Sequence, residues 1–262
     1  MTAIEITRAR AGEPPRQAVL GTECFCGNAD EAAAAILTRV FAQQGGYGCF
    51  CNVHVVVTAL HDERLRRSLD EAWLCFADGA PVAWMQRRTG HLVARRTAGP
   101  DLLPALVGLG QPHGLRHFLL GSTSEVCDRL RDRLLRAFPK ALVVGTSSPT
   151  LADGDRFDEH LVHEIGAVAP DIVWCAFGAP KQETWMSTHH RALAPALLLG
   201  VGAAFEFNAG TKRRAPAAMQ ALGLEWLHRL ASDPRRLGGR YLRTNTEFIL
   251  RATAELRRSV PH

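Results

Sequence analysis

Residues 116–145 read RHFLLGSTSEVCDRLRDRLLRAFPKALVVG. The run 116–120 is short and apolar and ends in Gly121-Ser122; 124–138 carries apolar residues at helical spacing; 141–144 is a second apolar run, ending at Gly145. The same alternation continues downstream, with a helix predicted over 159–168, a strand over 171–177, a helix over 181–191 and a strand over 196–200. Strands alternating with helices of this length predict an α/β fold, a parallel sheet with helices on both faces. Ligands of such sheets bind beyond the carboxyl ends of the strands. That places Gly121, Gly145, Gly178 and Gly202 around one crevice, where bare backbone amides could approach a pyrophosphate closely. Spaced glycines by themselves are weak evidence and more often mark ordinary connecting loops.

Upstream of this unit, 1–18 reads as irregular, and Asp30 is placed to cap a helix running to Gln44. Gly45, Gly46 and Gly48 break that helix. The stretch 47–57 is expected to be a buried strand running into a helix near Asn52, followed by a helix over 64–72, a strand over 73–77 and a turn at Asp78-Gly79. Downstream, a helix is predicted over 219–230, stopped by Asp233-Pro234. After Gly238-Gly239, Tyr241, Phe248, Ile249, Ala252 and Leu256 fall near helical spacing, with Arg235, Arg236, Arg240, Arg243 and Arg251 interleaved. The expected organisation is a catalytic domain over 1–211 and a basic helical C-terminal appendage over 212–262.

Composition sets outer bounds. With 47% hydrophobic and 22% charged residues in 262 positions, the chain can fill a core and global disorder is excluded. No apolar run approaches the roughly 18 to 20 residues that span a bilayer. The longest, 193–205, is interrupted by Pro195, Gly200 and Gly202. The first twenty residues hold no long apolar segment, so no signal peptide is expected. Seven cysteines include two pairs spaced by two, Cys24/Cys26 and Cys49/Cys51, a spacing that fits strand alternation and reduced cytosolic thiols better than a zinc knuckle or disulfides. The net charge of +5 is uneven: from Lys212 onward there are 11 Lys/Arg and 4 Asp/Glu, against 20 and 22 before it. A basic tail on a near-neutral body implies an anionic partner, whether nucleic acid, an anionic lipid surface or a phosphorylated substrate.

Several polar motifs carry chemistry. Asn52-Val-His54 follows the first buried strand, and Ala77-Asp78-Gly79-Ala80-Pro81-Val82 follows the next. Then come Arg96-Thr-Ala-Gly99-Pro-Asp101-Leu102 and Gly178-Ala-Pro180-Lys181-Gln182-Glu183-Thr-Trp185. Last are Gly200-Val-Gly202, Ala209-Gly210, Arg214-Ala-Pro216, Gly223-Leu-Glu225-Trp226-Leu-His-Arg229-Leu and Arg240-Tyr241-Leu242. In this order and spacing, over roughly 50–243, these segments resemble the WecG/TagA/CpsF family of glycosyltransferases (family 26).

The resemblance implies inverting transfer of a sugar from a UDP-sugar donor to a polyprenyl-diphosphate-linked acceptor in cell-surface or exopolysaccharide biosynthesis. It implies a Rossmann-like fold, no required metal or other cofactor, and peripheral attachment to an anionic membrane at the cytoplasmic face. On its motifs Asp78 falls on the catalytic base, the carboxylate that takes the acceptor hydroxyl proton as that oxygen attacks the anomeric carbon. Asn52 offers an amide that both donates and accepts to sugar hydroxyls, and Arg96 a guanidinium suited to phosphate oxygens. Gln182 starts a helix at a strand end, within reach of nucleotide or sugar. Gly178, Gly202 and Glu206 fall on the nucleotide-facing loops, and Arg214, Arg240 and Arg243 are the candidates to reach the diphosphate from the appendage. Phe50 stands where the family often has Thr, and Glu206 where it commonly has Asp.

Competing readings have weaker support. Asp153-Gly154-Asp155 has the spacing of a metal-diphosphate motif, but its Asp-rich surroundings read as a solvated loop. His160 and His163 lack a third ligand at zinc-site spacing. A Rossmann oxidoreductase would need a G-x-G-x-x-G after an early strand, which is missing. A nucleotide-sugar-binding module without catalysis is the alternative to the enzyme. Nucleic acid is not an expected partner, because no reading motif accompanies the basic tail. Homo-oligomerisation, the acceptor, the linkage and the sugar are open at this level.

Overall fold

The computed structural model describes residues 13–91, 93–149 and 159–259. Strands β1 (Arg16–Val19) and β2 (Thr22–Phe25) form a hairpin, followed by helix α1 (Ala29–Phe41), β3 (Gly46–Cys51), α2 (Val53–Ala59), α3 (Glu63–Asp70) and β4 (Leu74–Ala77). Then come α4 (Ala80–Arg88), α5 (Gly99–Gly110), β5 (Arg116–Gly121), α6 (Ser124–Ala137), β6 (Leu142–Ser147) and α7 (Glu159–Ala167). The chain continues with β7 (Ile172–Ala176), α8 (Lys181–His189), β8 (Leu197–Gly200), α9 (Ala204–Ala209), α10 (Ala217–Ala221), α11 (Glu225–Ser232) and α12 (Pro234–Ser259).

The eight strands form one sheet in the order β1-β2-β4-β3-β8-β7-β5-β6. Every pairing is parallel except β1 with β2. Alternation along the strands divides the core between the two faces. Cys49, Cys51, Cys75 and Leu198 pack on one side with Val55, Met85 and Trp185. Phe50, Leu74, Phe76, Leu197 and Leu199 pack on the other with Ile36, Leu103 and Leu106. The spacing of Cys49 and Cys51 is thus the strand period, Cys26 follows the end of β2, and all seven thiols are free and buried.

Several sequence expectations need correcting. The predicted irregular 1–18 contains the start of β1, which turns at Leu20-Gly21; both have positive φ (49° and 83°), the backbone a tight hairpin requires. Asn28 rather than Asp30 caps α1: its side chain accepts from Asp30 N and Glu31 N, and Glu31 reaches back to its backbone in a capping box. Gly145 does not end a strand. It lies inside β6, where a Cβ would stand 2.5 Å from the Phe118 ring, so its role is to let β6 close on β5. The single helix expected over 219–230 is two, α10 and α11, broken at Gly223 (φ +73°). Helix α12 begins at Pro234 and runs through Gly238-Gly239 rather than after them. It lies against α2, with Phe248 and Ala252 buried in the core.

Candidate active site

The cavity that matters opens at the carboxyl ends of β4, β3, β8 and β7, four strands adjacent in the sheet. It encloses about 1120 Å³. Asn52 leaves β3 and caps α2, its Oδ1 accepting from Val55 N at 3.2 Å. That cap uses only the oxygen, which leaves the Nδ2 donor for another partner. Asp78 leaves β4, its N–H bonded to Cys51 O at 3.0 Å. Gly79 follows with φ +142°, a backbone that only glycine adopts without strain, and α4 starts immediately after it. Thr97 N–H donates to Ala77 O at 2.9 Å, drawing the 94–98 segment along the end of β4 and setting Arg96 beside Asp78.

Charges converge here. Arg96 Nε is 3.9 Å from Asp78 Oδ1, while its Nη2 donates to Glu225 Oε2 at 2.7 Å. Glu225, at the start of α11, also accepts from Arg229 Nη2 at 2.7 Å and has Arg214 Nε at 3.6 Å. Arg214 forks onto Asp101 on α5, with Nη2 2.8 Å from Oδ2. The Arg229 guanidinium also covers the Phe207 ring at 4.8 Å. Burial raises the Asp78 pKa above the ordinary aspartate value, and Glu225 raises it further; Arg229, Arg96 and Arg214 pull the other way without cancelling burial. For Glu225 burial also pushes upward, but Arg229, Arg96 and Arg214 outweigh it and hold its pKa below the usual range.

On the β7–β8 side, Gln182 ties the loops together. Its Oε1 accepts from Gly178 N at 3.1 Å, and its Nε2 donates to Gly200 O at 2.9 Å and to Glu183 Oε1 at 2.8 Å. Gln182 lines the cavity, but its amide already bridges the end of β8 to the loop after β7. Glu183 is fully buried behind it, which raises its pKa to about 7. Gly202 (φ +51°) and Glu206 line the same wall, with Glu206 Oε1 3.4 Å from Lys212 Nζ. Phe50 lines the floor and stacks on Phe76 at 4.9 Å. His54 Nδ1 meets Thr58 Oγ1 at 3.1 Å.

The structure therefore gathers Asn52, Asp78, Arg96, Gly178, Gln182, Gly202 and Glu206 around one space. Gly121 and Gly145, expected on the same crevice, do not line it. Gly121 packs against the Ala176 backbone, where a Cβ would come within 2.8 Å. Arg214 stands behind the lining, bound to Asp101 and Glu225. Arg243 is on the exposed face of α12 and does not line the cavity. The side chain of Arg240, with Asp153 and Asp155, lies outside the described residues. Glu225 and Arg229 carry the centre of the charge cluster; the motif that contains them was recognised, but neither was given a role from sequence. Their i,i+4 spacing was visible, but such pairs also occur on solvated helices.

A largely parallel α/β sheet with a cavity at its strand ends, lined by the carboxylates of Asp78 and Glu225 and by several guanidiniums, is a suitable frame for glycosyl transfer from an anionic donor. The family model for the Glycosyl transferase WecG/TagA/CpsF family matches residues 17–261, and the chain belongs to that family of glycosyltransferases. A relative from Staphylococcus aureus strain MW2 is named N-acetylglucosaminyldiphosphoundecaprenol N-acetyl-beta-D-mannosaminyltransferase. It is 29% identical over 201 residues, covering 76% of this chain and 78% of its own length. Proteins of the same name from strains NCTC 8325 / PS 47 and MRSA252 match at the same 29% over the same 201 residues. Among the described residues no helix is long and apolar enough to cross a membrane.

Proposed function

We propose that this protein is an inverting glycosyltransferase that moves a sugar from a UDP-sugar to a polyprenyl-diphosphate-linked acceptor at the cytoplasmic face of the membrane. The observation that carries this reading is Asp78, a largely buried carboxylate at a strand end within a cluster of three arginines. In the reaction the acceptor hydroxyl oxygen bonds to the anomeric carbon while its proton passes to Asp78. The bond from that carbon to the UDP oxygen breaks, and its electron pair leaves on the diphosphate. A carboxyl whose pKa is raised by burial is a stronger base than a solvated one, and guanidiniums nearby suit the charge that develops on the leaving group.

Asn52 is assigned to sugar hydroxyls and Arg96 to the diphosphate, while Arg214 holds Asp101 and Glu225 behind the wall. Gly178, Gly202, Glu206 and Gln182 form the nucleotide wall. Residues 1–211 are assigned to catalysis and 212–262 to an appendage that completes the cavity. Around its mouth Trp84, Leu222 and Trp226 are exposed apolar residues of the cavity wall, and Leu242 and Leu250 are exposed on α12. Such a rim beside a basic segment suits an acceptor presented by an anionic membrane. The relatives' name makes an N-acetylmannosamine donor and an N-acetylglucosaminyl-diphospho-lipid acceptor the first pair to try.

The test is a panel of UDP-sugars incubated with the protein and short-chain polyprenyl-diphosphate sugars, with products identified by mass spectrometry. A disaccharide-diphosphate-lipid product with inverted anomeric configuration is expected. UDP-sugar binding without any transfer across the panel would favour the non-catalytic module instead.

A further inference from the structure

Three guanidiniums stand close enough to Asp78 to neutralise it, yet none pairs with it closely. Arg96 has the choice of two carboxylates and holds Glu225 at 2.7 Å, leaving Asp78 at 3.9 Å. Arg229 donates to the other oxygen of Glu225 at 2.7 Å. Arg214 is shared between Glu225 and Asp101. Glu225 is 7% exposed, and each of its two oxygens accepts a hydrogen bond from a guanidinium. It sits 129 positions from Arg96 and reaches it only because α11 folds back across the end of β4.

We propose that Glu225 is a positioning residue that engages Arg96, Arg229 and Arg214 and thereby keeps the Asp78 carboxylate unpaired and available to take the acceptor's proton. This inference rests on Asp78 being the base. Without the Glu225 charge, Arg96 would need to move by only about 1 Å to form a direct pair with Asp78. A direct pair of this kind lowers a carboxylate pKa by roughly 1 to 3 units, and a weaker base is a slower one. The charged groups facing Asp78 are Arg96 from the 94–98 segment, Arg214 from the loop before α10, and Glu225 and Arg229 from α11. His54 on α2, Arg87 on α4 and His228 on α11 line the same cavity.

The experiment measures kcat and KM against pH for the full chain and for Glu225→Gln, Arg96→Gln, Glu225→Gln with Arg96→Gln, and Asp78→Asn. Glu225→Gln preserves shape and removes the charge. Its acid limb is expected to move down by about one pH unit or more, with kcat at neutral pH reduced about tenfold or more and the KM for the UDP-sugar little raised. In the double variant the guanidinium that would trap Asp78 is gone, so the acid limb should return toward its original position. Should Glu225→Gln not fold, Glu225→Asp is measured; it draws the charge back from Arg96 by one methylene and should shift the limb in the same direction.

A Glu225 role confined to holding α11 in place would lower Tm and leave the acid limb where it was, and that result overturns the proposal. The Asp78→Asn arm separates the two ideas. Activity surviving in Asp78→Asn rejects Asp78 as base. An inactive Asp78→Asn together with an unmoved acid limb in the Glu225 variants rejects only the role given to Glu225.

Discussion

Arg96 and Glu225 meet at 2.7 Å across 129 positions of sequence, and this pair joins the segment along the end of β4 to the first turn of α11. The contact brings a glutamate and two arginines of the basic C-terminal region, Arg214 and Arg229, into the charge cluster around Asp78. The cavity is therefore walled by both parts of the chain. A substitution in either part should be felt at the same carboxylate.

Asp78→Asn should fold and retain UDP binding while transfer falls by about 10²- to 10⁴-fold, the usual worth of a general base. The amide keeps the size of the side chain next to Gly79 and removes the proton acceptor. Steady-state transfer and UDP titration on the same preparation check this. Near-normal turnover in a folded variant would remove Asp78 from the mechanism.

Glu183 gives stability a pH dependence. Burial raises its folded pKa from 4.5 to about 7, so the folded state holds this proton more tightly than the unfolded one. Its contribution is fully present below about pH 4.5 and is lost as pH rises through about 7. The loss is on the order of 3 kcal/mol at 1.36 kcal/mol per pKa unit. Glu183→Gln can still accept from Gln182 Nε2 and cannot ionise. It should flatten the decline in Tm between pH 5 and pH 8, as read by thermal melts. Parallel declines in both proteins would show that Glu183 is not the group responsible.

Gly223→Ala should destabilise the α10–α11 break and reduce transfer. The position has φ +73°, and a Cβ there would lie 2.6 Å from Ala80 Cβ at the start of α4. The left-handed backbone alone costs roughly 1 kcal/mol for a non-glycine residue, and the contact adds to it. Gly238→Ala, inside α12 with nothing within 4 Å of its Cβ, should instead stabilise by up to about 1 kcal/mol. Melts of the two variants should move in opposite directions, and a shared direction would contradict this account of the turn.

Leu242→Ser with Leu250→Ser should leave Tm nearly unchanged, because both side chains are exposed, at 74% and 67%. Sedimentation with anionic vesicles should weaken, and so should transfer to a long-chain lipid acceptor, while a short-chain soluble acceptor is spared. Unchanged vesicle binding would mean that this face of α12 is not the one that meets the membrane.

The alternating strands and helices from 116 to 200 were legible in the residue pattern, because burial on both faces of a parallel sheet needs continuous apolar runs and the helices between them need an apolar stripe. That pattern also marked Asn52, Asp78, Gly178 and Gly202 as strand-end residues, since the polar or glycine residue following a buried run is where the chain leaves the sheet. The Cys49/Cys51 spacing was legible for the same reason: a period of two belongs to a strand. Packing between distant segments set the rest. Gly145 follows an apolar run just as Gly178 does, but only the packing of Phe118 shows that the strand continues through it. Gln182 was legible as a polar residue at a helix start, yet its three hydrogen bonds to Gly178, Glu183 and Gly200 depend on how two loops meet. Glu225 and Arg229 were visible only as members of the motif that starts at Gly223. They became the centre of the charge cluster because α11 packs over the end of β4, and which of several carboxylates a guanidinium chooses is set by distances between segments far apart in the chain.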